Sequence, residues 1–134
     1  MWCFDTDVLS AVVRRDPPFL LVRKLARLPI DVQFTTSITL GEMLHGVARR
    51  PNPRLQRKTR EVVEGLVAIL PFDEASAEIY GALRVKLESE GRRLAEPDLR
   101  IASIALSNDL TLVTGNVRHF SRVPNLRVEN WLRG

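Results

Sequence analysis

Cysteine is almost absent from this chain: Cys3 is the only one among 134 residues. One thiol cannot build a disulfide framework or a thiolate metal site, and its apolar neighbours Trp2 and Phe4 mark it as a buried, inert group suited to a reducing compartment. Histidine is nearly as scarce, and His45 and His119 alone do not suit structural zinc. No apolar run approaches the roughly 20 residues that span a bilayer. The N-terminus carries Asp5 and Asp7 where a secretory signal needs a basic start and an apolar core. A cytoplasmic protein that neither spans nor anchors to a membrane is therefore expected. Internal repeats, linkers and low-complexity segments are missing as well. With 45% hydrophobic residues, the chain is long enough for one true core and too short for two, so residues 1–134 are read as a single domain.

What is present begins with Met1 to Ser10, MWCFDTDVLS. Trp2, Cys3 and Phe4 read as a short buried strand, after which Val8, Leu9, Val12 and Val13 recur at helical spacing. Asp5 and Asp7 thus fall at a strand end, and in an open α/β sheet chemistry collects in the crevice beyond the carboxyl ends of the strands. Glu42 and Asp98 occupy comparable contexts, each near the start of a predicted helix. Each acid also has a plainer reading. Asp7 or Thr6 would serve as an N-cap, whereas Asp5 belongs to the strand and lies early for that role. Thr39 and Glu42 have the spacing of a capping box. Asp98 is favoured in a first helical turn by the helix dipole, whatever its function.

The remaining pattern alternates strands and helices. Asp16-Pro17-Pro18 ends the first helix, and Phe19 to Leu28 form an amphipathic helix that stops at Pro29. Val32 to Thr36 have strand composition, followed by a helix from about Thr39 to Ala48. A helix from about Leu55 toward Leu66 leads to a buried strand, Val67 to Phe72, closed by Asp73. The next helix, near Ala75 to Glu90, ends at Gly91 as its C-cap. Pro97 fits the first position and Asp98 the second of a small, apolar helix running to about Ser107. Leu110 to Thr114 read as a strand, Gly115-Asn116 as a turn and Leu126 to Val128 as a short final strand. Strands separated by helices predict an α/β fold with a mainly parallel sheet.

Charge adds a second theme. Twenty basic residues against sixteen acidic ones give a net +4 and a pI near 10, which permits a polyanionic partner without requiring one. Arg49, Arg50, Arg54, Arg57, Lys58 and Arg60 follow one another with no acid between Met43 and Arg60. Such a run is either a solvated face or a guide for a phosphate backbone. Pro51 and Pro53 argue against one continuous basic helix.

Four stretches in order, FDTDVLS, TLGEMLHGVARR, EPDLRIASIAL and LVTGNVRHF, resemble PIN-domain proteins of the VapC toxin type over essentially the whole chain. The resemblance implies a three-layer α/β/α fold around a mainly parallel sheet of four to five strands. It implies a metal-dependent endoribonuclease that cleaves RNA and is held inactive by a cognate antitoxin. By the same resemblance Asp5, Glu42 and Asp98 are the carboxylates that hold Mg²⁺ or Mn²⁺, Thr6 contacts the site's water, and Asn116 is a fourth polar position. Asp7 stands where asparagine is common in that family. Homodimers joined to antitoxin chains are the usual assembly.

The residue chemistry agrees. Mg²⁺ prefers oxygen ligands and keeps several waters, so carboxylates plus a substrate phosphate suit it. Converging carboxylates without a cation repel and have raised pKa values. The expected reaction is phosphodiester hydrolysis by a metal-activated water, with Glu42 or Asp98 taking the proton. Arg49, Arg50, Arg92, Arg93 and Arg118 are candidates for the flanking phosphates, and His119 is read as structural or as a peripheral RNA contact. One rival is a phosphatase of the haloacid-dehalogenase type with Asp5 as nucleophile; the chain lacks its late lysine, the last being Lys86, and has no Gly-Asp pair. The other rival is a non-catalytic basic RNA-binding domain.

Overall fold

Trp2–Phe4 form β1, the central strand of a sheet ordered β3-β2-β1-β4-β5, in which every pairing is parallel. The computed structural model describes residues 1–66 and 68–133. Val67, where the sequence pattern opens the third strand, lies outside the described residues. From β1 the chain runs through α1 (Thr6–Val13), α2 (Phe19–Arg27) and a single 3-10 turn at Ile30–Val32 into β2 (Gln33–Thr36). It continues through α3 (Ser37–Arg49) and α4 (Pro53–Glu64) to β3 (Ala68–Leu70) at the sheet edge. After α5 (Glu74–Ser89) and α6 (Glu96–Ser107) it returns to the other side of β1 as β4 (Thr111–Val113). α7 (Val117–Phe120) and β5 (Val128–Glu129) complete the described elements.

This winding makes the gap between β1 and β4 the point where the chain reverses direction across the sheet. Ligands of open α/β sheets bind at such a switch point, beyond the strand carboxyl ends. The core explains why β1 and β4 read as unbroken apolar runs. Cys3 and Leu112 point to one face, where Leu83, Leu87, Leu99, Ile101 and Phe120 of α5, α6 and α7 cover them. Phe4 and Val113 point to the other, where Val8, Leu9, Leu21, Met43 and Trp131 cover them. Strands covered on both faces have no polar side to alternate with. The result is the α/β/α arrangement of the expected fold.

Several boundaries differ from the sequence reading, each for a local reason. The α1 cap is Asp5, not Asp7 or Thr6, because β1 ends at Phe4 and Asp5 takes the extended cap conformation. The capping box at Thr39 and Glu42 does not form. α3 starts two residues before Thr39, and its cap is Thr36, whose buried hydroxyl accepts from the Thr39 N–H at 3.1 Å. α4 starts at Pro53, because Asn52 caps it by accepting from the Arg54 and Leu55 N–H groups. Pro53 therefore opens a helix instead of breaking the basic run. α6 starts at Glu96, which makes Pro97 its second residue and Asp98 its third. α7 follows where only a turn was expected. Gly91 past the end of α5 has φ +67°, as its C-cap reading requires.

Thr36→Ala is expected to lower stability by about 1–2 kcal/mol through loss of the cap, with Thr36→Ser recovering most of it. Urea melts with an unchanged slope measure this, and an unmoved midpoint would deny Thr36 the capping role.

Candidate active site

Asp5 stands where β1 passes into α1, flanked by the end of β4. Its N–H extends the sheet ladder by donating to the Val113 carbonyl at 2.9 Å. Its Oδ1 accepts from the Thr6 N–H at 2.8 Å and its Oδ2 from the Thr114 hydroxyl at 2.7 Å. Only 5% of Asp5 is exposed. The Thr114 hydroxyl has one proton to give, and its contact to Asp7 Oδ1 is longer, 3.4 Å. Asp5 therefore accepts that hydrogen bond. Thr114 also accepts from the Asn116 N–H at 3.0 Å, which fixes the start of the loop after β4.

Asp7 is anchored differently. Its Oδ2 accepts from the Gly115 N–H at 2.8 Å, and a side chain at that position would crowd it. A Cβ on Gly115 would come within 2.7 Å of that oxygen and equally close to Leu132 Cδ1. Glu42, exposed on the second turn of α3, is reached by Thr6, whose hydroxyl donates to Glu42 Oε1 at 2.6 Å and lies 3.2 Å from Thr39 Oγ1. The Thr39–Glu42 spacing that resembles a capping box thus serves this tertiary contact. From the opposite layer, Asp98 enters from the first turn of α6, half-buried. His119 Nδ1 hydrogen-bonds the Asn116 side chain on α7.

These groups sense one another electrically. Burial pushes the Asp5 carboxyl up to about 7; the charges of Asp7 and Asp98 add to that, against the hydrogen bonds from Thr114 and Thr6. Asp98 is held above the usual carboxylate range, first by burial and then by Glu42 and Asp7, with His119 opposing. Four carboxylates therefore share one field at the switch point: Asp5, Asp7, Glu42 and Asp98. The donor set is oxygen throughout, and a divalent cation would offset the burial and the mutual repulsion that hold the Asp5 and Asp98 carboxyls above their ordinary range. Among the described residues no three His, Cys, Asp or Glu side chains stand in a spacing that holds an ion. The site fits a hard cation in donor chemistry and charge.

Other charged and reactive side chains, the candidate arginines included, fall elsewhere. Glu96, two residues before Asp98, turns outward to Tyr80, Arg100 and Arg84 and ties α6 to α5. Arg49 and Arg50 lie at the far end of α3, on the order of 10 Å along the axis from Glu42. Arg92 and Arg118 line one cleft, while Arg93 lines a separate recess with Arg84, Glu88 and Glu96. Cys3 is fully buried, and burial pushes its thiol far above the ordinary range. It is no nucleophile. A cavity of about 690 Å³ between α3 and α4 is lined largely by apolar groups such as Leu40, Leu44, Val47 and Val63 and holds none of the four acids. Thr114 and Gly115 were missed from sequence. A β-branched residue ending an apolar run reads as strand, and a lone Gly-Asn pair reads as a turn.

The PIN domain family model matches residues 2–126. The chain is 32% identical over 130 residues to the tRNA(fMet)-specific endonuclease VapC of Shigella flexneri, an alignment that covers 95% of each. It is 35% identical over 96 residues to ribonuclease VapC2 of Rickettsia felis, covering 72% of each. In three dimensions it matches VapBC2 of Rickettsia felis, a crystal structure bound to a DNA fragment from their promoter. There the TM-score is 0.89 and the identity 31%, over 97% of this chain and 98% of that one.

A carboxyl whose folded-state pKa exceeds its unfolded value binds its proton more tightly in the native protein. Its stabilising contribution is present below the ordinary carboxylate range and is lost as pH climbs through about 7. Without divalent ions, Asp5 is expected to remove on the order of a few kcal/mol of stability between about pH 4 and 7, and Asp5→Asn to flatten that decline. Urea melts across this range test it; a variant with the parent's pH profile would mean that Asp5 is solvated.

Proposed function

Because this chain belongs to the PIN-domain family, we propose that it is a metal-dependent endoribonuclease, the toxin of a toxin–antitoxin pair, folded as one domain over residues 1–134. The observation that carries this is the buried Asp5 carboxyl in the shared field of Asp7, Glu42 and Asp98 at the switch point. Relatives named as a ribonuclease and a tRNA(fMet)-specific endonuclease support RNA as the substrate. Membership of this family sets aside the phosphatase reading of Asp5-Thr6-Asp7. The single buried thiol suits action in a reducing cytoplasm.

In this reading Asp5, Glu42 and Asp98 hold Mg²⁺ or Mn²⁺. When bound, such an ion supplies charge neutralisation at the phosphoryl oxygens and acidifies water. Asp5 offers lone pairs not used by Thr6 and Thr114, which fix its plane. Thr6 steers Glu42 by a charge-assisted hydrogen bond. Glu42 or Asp98, both at the edge of the site, takes the proton of the attacking water. Asn116 contributes a neutral amide whose Oδ1 already engages His119, so it supports the site instead of neutralising charge in it. Arg49, Arg50, Arg92, Arg93 and Arg118 remain candidates for phosphate contacts outside the reacting centre.

The proposed antitoxin finds an apolar surface ready on the early helices. Phe19 is 73% and Leu44 53% exposed, with Leu20 and Val22 beside Phe19 on α2. Exposed apolar groups of this size mark interaction surfaces. A homodimer of toxin chains within a larger toxin–antitoxin assembly belongs to the same proposal. Support comes from a fold neighbour whose solved structure is VapBC2.

RNA cleavage is expected to need Mg²⁺ or Mn²⁺. Asp5→Asn or Asp98→Asn should each lower kcat/KM about 10³-fold, or roughly 4 kcal/mol of transition-state stabilisation, with the thermal melt retained. Full activity in excess chelator would reject the assignment. Thr6→Val, which frees Glu42 without removing a carboxylate, should cost about tenfold; an unchanged rate would show that Glu42 needs no steering.

A further inference from the structure

α7 separates two surfaces of opposite charge. Asn116 and His119 belong to the acidic site, whereas Arg118, Ser121 and Arg122, three and four residues apart, share another flank of the same turn. Opposite that flank is the turn that ends α5. Gly91 adopts its left-handed conformation there, and the Arg92 N–H closes the turn on the Leu87 carbonyl at 2.8 Å. Between them lies an open cleft of about 420 Å³, lined by Gly91, Arg92, Arg118, Ser121 and Arg122. The Arg122 guanidinium donates to the Arg93 carbonyl at 2.9 Å and so ties the two walls together.

The charge in this cleft is unanswered. Among the described residues, Arg84, Arg100 and Arg127 each pair with a carboxylate, but Arg92, Arg118 and Arg122 pair with none. Guanidinium groups gathered without a counter-charge repel one another, and an anion in the cleft would return that energy. Their planar forks match phosphate oxygens in pairs.

We propose that this cleft is a backbone-phosphate subsite for single-stranded RNA, set beside the acidic site and gripping the strand away from the bond that is cut. It rests on the ribonuclease reading for its ligand. A helix with its side chains is about 10–12 Å across, so a strand reacting at Asp98 carries its neighbouring phosphates over α7 into the cleft. The cleft is open to solvent along its length, as a passing strand needs. Arg122, absent from the sequence candidates, joins Arg92 and Arg118 in it.

The test is binding of a fluorescein-labelled single-stranded RNA across a salt series, with chelator present to hold cleavage off. Arg118→Gln/Arg122→Gln should weaken binding about tenfold and reduce the slope of log affinity against log salt by about 1.4, two contacts at about 0.7 each. Arg118→Gln alone leaves the Arg122 tie intact and should show about threefold and 0.7. Arg118→Lys/Arg122→Lys should keep the slope, since the charge is kept. Arg23→Gln, on α2 across the sheet, removes the same charge from another layer and should change neither. Unmoved affinity and slope in Arg118→Gln, or an equal loss in Arg23→Gln, overturns the subsite. Cleavage of the same RNA with Mn²⁺ is scored separately. Parent protein that binds through the cleft but cuts nothing overturns the ribonuclease reading alone, and intact cleavage with unmoved binding overturns the cleft alone.

Discussion

A carboxylate taken out of water is the constraint around which this protein is arranged. Burying Asp5 between β1 and β4 costs more than its two hydrogen bonds return, as its raised pKa shows. The fold nevertheless invests several parts in that geometry. β4 ends on Thr114 to supply the hydroxyl, and Gly115 leaves room for Asp7. Thr6 gives its N–H to the Asp5 cap and its hydroxyl to Glu42. Groups held at an energetic cost by so many partners are characteristic of sites that act, and a purely structural cap would need none of the additional acids.

The sheet order makes this possible with short strands. Only three residues of β1 lie in the ladder, yet they pair on both sides and are covered on both faces. The strand that leads into Asp5 is therefore constrained from every side. Asp98 and Glu42 arrive on helices from different parts of the chain, and the first turn of α6 places a carboxylate near a positive dipole end. Small residues such as Ala102 and Ala105 let α6 lie close against the sheet. The acids meet because their scaffolds pack tightly, not because they are near in sequence.

Much of this was legible beforehand. Short apolar runs located β1 and β4, strand composition located β2, and the acids at the end of β1 pointed to the carboxyl edge. Local chemistry was harder to read. Thr39 and Glu42 satisfy a capping-box pattern by letter, but Thr36, three residues earlier and the last of β2, is where the backbone is extended and able to cap. Asp5 reads as strand because apolar context extends to it, while its dihedral angles already belong to the cap. Thr114 has no sequence signal of its own, since its role depends on Asp5, 109 positions away. Arg122 sits in an aperiodic loop, and only the turn at Gly91 gives it neighbours. Tertiary contacts decided each of these.

The shortness of α7 carries an implication for how such a molecule behaves over time. Four residues are too few to persist as a helix unaided, so this partition depends on anchors such as Phe120 beneath it and the Arg122 tie to the neighbouring loop. A momentary loss of that anchorage would release His119 and Arg118 together. Such a loss would therefore disturb the acid-site imidazole and the proposed phosphate cleft as a single event.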